Sequence, residues 1–237
     1  MVLLREQLGW GPDRIAALTG VPRSTVHRVI RRRQLQAVRP PREPAVRYEY
    51  ANPGDMLHVD TKKLGKIVGG PGHRAHGDRT TRARGVGWEV LHMAIDDCTR
   101  LVYCEVLADE RGRTAAHFLI RALRWFRDHG ITVDRILSDN GSPYRSKAWR
   151  RVCRAAGVRH RRTRPYRPQT NGKAERFWRT LDTDLIEGTT FDDINQFTNE
   201  LLEYIVFYND FRAHQALNGL TPQTFANNLA NQKPSAN

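Results

Sequence analysis

Cysteine, lysine and long apolar runs are scarce in this sequence. Three cysteines among 237 residues are too few and too scattered for a disulfide framework or a zinc site, and they indicate a reducing compartment. The longest uncharged apolar stretches are far shorter than the roughly 20 residues of a membrane span. The first residues form neither a basic leader nor a sustained apolar core, so we expect no signal peptide, no membrane partner and a cytoplasmic location.

Acidic residues are also few, and their shortage is local. The chain has 39 Lys and Arg (33 Arg and 6 Lys) against 25 Asp and Glu, a formal net charge of 39 − 25 = +14. Residues 144–179 carry 13 bases and 1 acid (+12), residues 1–63 carry 12 and 6 (+6), and residues 180–237 carry 2 and 8 (−6). A positive excess concentrated in one segment favours a polyanionic partner over a generally solvated surface. The many arginines suit phosphate contacts, although a genome biased toward Arg codons would give the same ratio.

Changes in composition divide the chain into four predicted parts. The length and the hydrophobic content of 39% allow one large domain, or a medium domain with a small one attached. Residues 1–35 have helical patterns, and residues 36–54 are rich in Pro and Arg, as in an extended basic linker. We predict a core domain over residues 55–211 and a C-terminal tail over residues 212–237.

The first part, residues 1–35, has the spacing of a helix-turn-helix. A short helix over residues 13–19 is followed by Gly20, which fits the left-handed position that ends a helix, and Pro22 begins a second helix that runs to about residue 33. The second helix of such a motif enters the major groove of DNA. The side chains that would then face bases and phosphates are Arg23, Ser24, Thr25, Arg28 and Arg32. An ordinary surface hairpin is the alternative, but the small residues at the helix crossing and the basic exposed face favour DNA binding.

The rest of the chain combines strand and helix patterns. Strands are predicted at residues 55–60, 88–95, 101–107, 131–137 and 158–161, and helices at residues 114–129, 146–156, 171–187 and 192–211. Residues 96–100 read as a hairpin turn, and the glycine-rich, basic residues 62–87 as a mobile loop. This order predicts an α/β domain with a mixed sheet that is covered by helices.

Three acidic residues stand where such a sheet would bring them together. Asp60 ends the first predicted strand, Asp139 directly follows the fourth, and Glu175 lies near the start of a helix. Strand ends and helix starts converge at one edge of a sheet, so the carboxylates can meet although 139 − 60 = 79 and 175 − 139 = 36 positions separate them. Oxygen ligands at this density suit Mg²⁺ or Mn²⁺. Two such ions about 4 Å apart are an arrangement for phosphoryl transfer.

Each acid also has a structural interpretation on its own. Asp139 could form an Asp-Asn-Gly turn, Asp60 could cap a strand, and Glu175 could pair with Arg179 four residues later on the helix. The joint pattern favours a common site over three separate structural roles.

Neighbouring residues have predicted supporting roles. His58 lies two residues before Asp60 and therefore on the same strand face, where we favour a packed or supporting histidine over a substrate contact. Asp96 and Asp97 could compete as metal ligands, but their place in the hairpin turn favours stabilisation of that turn. Phe177 and Trp178 fit the apolar stripe of their helix and are predicted to lie in the core.

Several motifs together resemble the integrase core of bacterial insertion-sequence transposases. The motifs are Leu57-His58-Val59-Asp60, Ile95-Asp96-Asp97-Cys98-Thr99-Arg100, Ser138-Asp139-Asn140-Gly141-Ser142-Pro143-Tyr144 and Pro165-Tyr166-Arg167-Pro168-Gln169-Thr170-Asn171-Gly172-Lys173-Ala174-Glu175-Arg176, followed by a similar closing stretch from Tyr208 to Pro222. The resemblance covers about residues 55–225. Between the second Asp and the Glu stand 175 − 139 − 1 = 35 residues, the spacing usual for this superfamily.

This resemblance implies a ribonuclease-H-like fold and a DDE-type polynucleotidyl transferase with residues 55–211 as its integrase catalytic core. It implies that Asp60, Asp139 and Glu175 are the catalytic residues and the ligands of two Mg²⁺ (or Mn²⁺) ions. The implied reaction cuts DNA at the ends of a mobile element and joins those ends to target DNA. It further implies a bacterial, nucleoid-associated protein that is at least a dimer on DNA, because two DNA ends must be held. The His-His-Cys-Cys zinc module of the retroviral kind is absent from the sequence, so we expect no structural zinc.

The basic segment supplies further candidates for DNA contacts. An aromatic ring beside a flexible basic loop can hold an unstacked base. The candidates are Tyr144, Arg164, Arg167, Lys173 and Arg176. Two other functions stay open at this point. One is a non-catalytic DNA-binding regulator or transposition inhibitor with an integrase-like core, and the other is a nuclease that cuts but never joins.

Overall fold

The computed structural model of the chain describes residues 1–7, 9–35, 49–65, 67, 88–163 and 171–232. The chain forms two compact units, Met1–Arg47 and Tyr48–Asn237. The boundary falls inside the predicted linker. The last part of that predicted linker nevertheless packs on the second unit, because the backbone N–H groups of Tyr50 and Gly54 donate to the carboxylates of Asp97 and Asp96.

The N-terminal unit contains three helices, α1 (Val2–Glu6), α2 (Pro12–Thr19) and α3 (Arg23–Arg32). The turn after α2 forms as predicted, because Gly20 adopts a left-handed φ of 68° and its N–H bonds the carbonyl of Ala16. Ile15 of α2 and Val26 of α3 are fully buried and hold the two helices together.

The second unit is built on a five-stranded mixed sheet with the strand order β3-β2-β1-β4-β5. The strands are β1 (Leu57–Gly65), β2 (Trp88–Asp96), β3 (Val102–Leu107), β4 (Arg135–Ser138) and β5 (Arg159–Arg162). Neighbours in the β1–β2 and β2–β3 pairs are antiparallel, and those in the β1–β4 and β4–β5 pairs are parallel. The predicted mixed sheet is confirmed.

Strand β1 is longer than the sequence pattern predicts. It continues past Asp60 to Gly65 because this half pairs with residues 88–93 of β2. Asp60 therefore does not end its strand, and residues 62–65 do not belong to a loop. The remainder of the predicted loop, apart from Ile67, lies outside the described residues.

Helices cover both faces of the sheet. They are α4 (Gly112–Asp128), α5 (Ser142–Arg145), α6 (Lys147–Ala155), α7 (Gly172–Leu181), α8 (Ile194–Asp210) and α9 (Pro222–Gln232), with a π-helical turn at Asp182–Ile186 and a 3₁₀ turn at Gln215–Leu217. Helix α9 lies in the predicted C-terminal tail, where its Ala226 is buried in the core. Within the described ranges, no helix is long and apolar enough to cross a membrane.

The two faces of β1 carry different residues and pack against different helices. Leu57 and Val59 are buried in a cluster with residues of α4 and α6. His58 and Asp60 alternate with them along β1 and stand opposite Ile95 and Met93 of β2. These two β2 residues belong to the cluster on the other face of the sheet, beneath α7 and α8. The alternation therefore directs His58 and Asp60 toward the face that α7 covers.

Candidate active site

Asp60 is on β1, and Asp139 directly follows the end of the neighbouring strand β4. In the parallel β1–β4 pair, Leu57 stands opposite Ile136 and His58 opposite Leu137, an offset of 136 − 57 = 79 residues. The same offset continued past the end of β4 sets Asp60 beside Asp139, since 139 − 60 = 79. The register is therefore compatible with the predicted proximity of these two acids, and the charge of Asp139 acts on Asp60.

Asp139 takes part in a turn as well as in this pair. Its Oδ1 accepts a hydrogen bond of 2.8 Å from the backbone N–H of Gly141. The side chain is exposed. The turn interpretation and the site interpretation are therefore compatible, because the turn uses only one of the two carboxylate oxygens.

Glu175 comes from the first turn of α7 and its side chain is exposed. The helix is anchored on the sheet by the buried rings of Phe177 and Trp178. Among the described residues Glu175 has no ion pair, so the alternative pairing with Arg179 is not formed. Its charge acts instead on Asp60, as the electrostatics of that residue show.

Burial raises the pKa of Asp60 to about 6, and the negative charges of Asp139 and Glu175 add to this rise. Hydrogen bonds from the Trp178 ring and the Thr61 backbone act in the opposite direction. Asp60 is therefore within reach of the charges of both other predicted acids. A carboxylate that is costly as an anion is stabilised by a nearby cation.

The donor set fits a hard divalent cation, although the side chains do not close around one point. No group of three or more His, Cys, Asp and Glu side chains in the described part of the chain is close enough to hold a metal ion. The three acids supply only oxygen ligands, which match the preference of Mg²⁺ or Mn²⁺.

Trp178 has a role that the sequence pattern missed. The ring is buried in the core, as predicted, but its Nε1–H also donates to Oδ2 of Asp60 at 3.0 Å. Trp178 follows Glu175 by three residues, so the two side chains lie on the same side of α7. That spacing is the signal in the sequence that could have indicated the contact.

A buried carboxylate, Asp97, links the strand of Asp60 to the helix of Glu175. Its Oδ1 lies 2.8 Å from His58 Nε2 and 2.9 Å from Lys173 Nζ. His58 stands two residues before Asp60, and Lys173 stands two residues before Glu175. Asp97 is thereby in contact with residues adjacent to both acids.

The environment of Asp97 favours its charged form. Burial raises its pKa, but hydrogen bonds from His58, the Tyr50 backbone and Lys173 outweigh burial and lower the pKa to about 2. The other ring nitrogen of His58, Nδ1, lies 3.2 Å from Oδ1 of Asn171, the residue before α7. His58 is therefore a supporting histidine, as the sequence interpretation favoured.

Asp96 stabilises the hairpin turn, as predicted. It accepts hydrogen bonds of 2.8 Å from the backbone and the hydroxyl of Thr99 and from the Gly54 backbone. The same prediction for Asp97 is not met, because its carboxylate contacts β1 and α7 rather than its own turn.

The predicted DNA contacts in the N-terminal unit lie on α3. Arg23, Ser24, Arg28 and Arg32 are exposed and Thr25 is half-buried. Arg23 forms an ion pair with Asp13.

The candidates in the core differ in their surroundings. Tyr144 is only 2% exposed and packs edge-on against Trp149 with ring centroids 4.9 Å apart, so it offers no stacking surface and that prediction is corrected. The ammonium of Lys173 is occupied by Asp97. Arg176 is exposed, and Arg164 and Arg167 lie outside the described residues.

Comparison with known proteins agrees with the fold and the two units. Residues 69–168 and residues 156–222 each match a family described as integrase core domain, and residues 1–37 match a family described as homeodomain-like domain. The two core matches contain Asp139 and Glu175 and begin after Asp60.

Curated relatives include insertion-sequence transposases. Transposase InsD for insertion element IS2D of Escherichia coli (strain K12) is 27% identical over 219 residues, which are 90% of this chain and 69% of that protein. The transposase for insertion sequence element IS904 of Lactococcus lactis subsp. lactis (strain IL1403) is 32% identical over 89 residues, 37% of this chain and 35% of that protein. The chain spans 11% to 41% of the length of several other curated relatives that it matches.

A solved structure shows the same fold. The catalytic core domain of BIV integrase matches with a TM-score of 0.50 at 17% sequence identity, over 75% of this chain and 97% of that one. The mixed sheet with flanking helices is thus the ribonuclease-H-like fold of integrase cores. Residues 69–222 thus form an integrase core domain, the relatives of the chain include insertion-sequence transposases, and a homeodomain-like helix-turn-helix unit stands at the N-terminus.

Proposed function

We propose that this protein is a DDE-type DNA transposase, which cleaves element-end DNA and joins the freed end to target DNA. The observation that supports the proposal is the effect of the charges of Asp139 and Glu175 on Asp60, together with a β1–β4 register that is compatible with their proximity. Carboxylates are gathered in this way, at the cost of mutual repulsion, where a cation and a phosphodiester are to be bound.

Asp60, Asp139 and Glu175 would hold two Mg²⁺ (or Mn²⁺) ions. When bound, the ions supply Lewis acidity that activates an attacking hydroxyl and stabilises a leaving oxygen. The protein's own contribution is to orient the ligands. Trp178 engages Oδ2 of Asp60 and the Gly141 backbone engages Oδ1 of Asp139, so each Asp has one oxygen fixed by a donor.

The same set of residues serves both chemical steps, because each is a phosphoryl transfer. In cleavage, a water oxygen forms a bond to the scissile phosphorus and the 3′-oxygen leaves with a proton. In joining, that 3′-hydroxyl attacks a phosphodiester of the target strand, and the target's own 3′-oxygen leaves. Because both reactions pass through an in-line arrangement of attacking and leaving oxygens, one binding geometry is sufficient.

The N-terminal unit would recognise the element ends through α3. Its exposed Arg28 and Arg32 suit phosphates and base edges in the major groove. Two ends must be held for joining, so the acting species would be at least a dimer on DNA. The place of action would be the bacterial cytoplasm, at the nucleoid.

The test uses the full chain, Mg²⁺, and labelled duplexes taken from the DNA that flanks the coding sequence. We expect nicked and joined products from the wild type and none from Asp139→Asn or Glu175→Gln. Asp128→Asn and Glu203→Gln remove the same charges at exposed positions outside the site and should leave both products unchanged.

Three outcomes separate the rival functions. Binding without any product would favour a non-catalytic DNA-binding regulator or transposition inhibitor. Nicks without joined products would favour a nuclease. Equal products from the wild type and both active-site variants would place the chemistry elsewhere.

A further inference from the structure

The edge of the sheet beside the active site is strongly basic. Strand β5 is the edge strand and consists of three arginines and His160. In its parallel pairing with β4, Arg161 stands opposite Leu137 and Arg162 opposite Ser138. The two arginines therefore flank the end of β4, directly before Asp139.

The pairing also assigns a sheet face to each arginine. His58, Leu137 and Arg161 are partners across three neighbouring strands, so their side chains point to the same face. That face is the one of Asp60, which follows His58 by two residues. Two strand spacings and two residues along the strand separate the Arg161 and Asp60 backbones by roughly 12 Å. Arg162 points to the opposite face, together with His160.

Two of these arginines form no ion pair with the described part of the chain. Arg159 forms an ion pair with Asp134, whereas Arg161 and Arg162 are exposed and pair with none of the described acids. The whole stretch 144–163 carries 8 bases and no acid.

Helix α6 extends the basic surface. Its exposed positions i, i+3, i+4 and i+7 are all cationic and lie on one side of the helix, opposite the buried Trp149 and Cys153. These positions are Lys147, Arg150, Arg151 and Arg154. Charges on an edge strand also prevent sheets from pairing with one another, but that role needs few charges and can use either sign.

We propose that the β5 edge binds the DNA backbone, with Arg161 and Arg162 contacting phosphates of the duplex whose scissile phosphate lies at the carboxylates. This inference rests on the proposed function. It names the surface that contacts the DNA duplex beyond the active site. Arginine suits this contact because its planar guanidinium bonds phosphate oxygens in pairs. A distance of roughly 12 Å corresponds to a few nucleotides, because the rise is about 3.4 Å per nucleotide along one strand. A single DNA strand can therefore contact both the carboxylates and Arg161.

The experiment measures salt dependence in the full chain. The variant Arg161→Gln/Arg162→Gln is compared with Arg124→Gln/Arg127→Gln, which removes the same charge from exposed positions of α4. Each protein carries Asp139→Asn to prevent turnover. Binding to a fluorescein-labelled duplex of about 30 bp and arbitrary sequence is followed by anisotropy between about 50 and 200 mM KCl.

Each lost phosphate contact lowers the magnitude of the slope of log K against log salt by about 1. We expect a loss of about 2 for the β5 variant and less than about half a unit for the α4 variant. A second duplex, taken from the DNA flanking the gene, shows which DNA the β5 edge binds. Equal losses on both duplexes assign the edge to DNA in general, such as the target, and a loss on the flanking duplex alone assigns it to the element end.

Two results would overturn the proposal. One is an unchanged slope on both duplexes in a variant whose thermal unfolding matches the wild type. The other is a loss of self-association in the β5 variant while its slope is unchanged. The β5 edge would then bind the acidic C-terminal segment of a second copy of the chain. The assay of cleavage and joining is independent of this measurement. A smaller slope in the β5 variant together with an inactive wild type would support the DNA contact and reject the transposase function.

Discussion

Asp97 and Lys173 form a 2.9 Å ion pair across 173 − 97 = 76 residues of sequence. The pair joins the hairpin turn after β2 to the first turn of the helix that carries Glu175. Asp97 also contacts His58 on the strand of Asp60, so one buried carboxylate spans both parts of the site.

The coupling between Asp97 and Lys173 is measurable. We expect the variants Asp97→Asn and Lys173→Gln to be non-additive by about 1–3 kcal/mol in the free energy of unfolding, because each removes a charged partner of the other group in a largely buried place. Urea denaturation of the two single variants and the double variant gives this value. Glu49, which lies 3.8 Å from Lys173 and is largely exposed, is the control. Glu49→Gln should couple to Lys173→Gln by less than about 0.5 kcal/mol. Additive effects at Asp97 would contradict the link.

Trp178→Phe should reduce activity more than stability. The phenyl ring keeps most of the apolar packing, but the hydrogen bond to Asp60 is lost and one carboxylate oxygen is no longer held. Loss of a group that orients a metal ligand typically costs about 10–100-fold in metal affinity or activity. Joining is measured at saturating DNA as Mg²⁺ is titrated. Trp125→Phe, which changes a half-buried Trp of α4 that makes no contact with Asp60, should shift the Mg²⁺ requirement little, and an equal shift in both variants would refute the role.

Mg²⁺ should stabilise the folded protein through the three acids. A ligand that binds only the native state adds about 2.7 kcal/mol at 100 times its dissociation constant. Thermal unfolding with and without Mg²⁺ should therefore show a rise for the wild type and none for Asp60→Asn or Asp139→Asn. Asp128→Asn should behave as the wild type. Stabilisation that persists in both active-site variants would mean that the cation binds at another place.

Acidification should destabilise the protein through His160. Its Nδ1 accepts a hydrogen bond of 3.2 Å from the Trp149 ring and its Nε2 lies 2.8 Å from the hydroxyl of Ser138, so the ring is neutral. Burial, followed by the charge of Arg162, lowers the pKa of His160 to about 4. The unfolded chain takes up this proton near the ordinary pKa of about 6.5. The stability that neutral His160 contributes is therefore complete above pH 6.5 and is lost as the pH falls toward 4.

The variant His160→Gln isolates this effect. Urea denaturation without Mg²⁺ should show a shallower loss of stability between pH 6.5 and 4 than in the wild type, by at most about 1.4 kcal/mol per pH unit. The raised pKa of Asp60 changes the free energy of unfolding with pH in the opposite direction. This contribution is the same in the wild type and in His160→Gln, so the comparison of the two proteins removes it. His117→Gln, at an exposed position, should leave the curve parallel to that of the wild type. Parallel curves for His160→Gln would contradict the prediction.

Local patterns located the elements but not the extent of their pairing. Alternation and turn residues predict β1 near residues 55–60, yet the strand runs to Gly65 because its partner β2 is long enough to pair with it. The same limit applies to Lys173 and Tyr144. A basic residue and an aromatic residue near a predicted active site suggest DNA contacts, whereas one is paired with Asp97 and the other is buried beside Trp149. Their partners stand on other elements of the chain.

By itself, the sequence determined which acids are available, the order of strands and helices, and the helix-turn-helix, because these depend on residue type and spacing along a few turns or one strand. Tertiary structure decided that β1 pairs with β4, that Trp178 donates a hydrogen bond to Asp60, and that Asp97 joins His58 to Lys173. Those contacts follow from strand register and from the seating of α7 on the sheet. Both result from hydrogen bonding and packing between segments far apart in the chain, and a shift of one residue would turn every side chain of a strand to the other face.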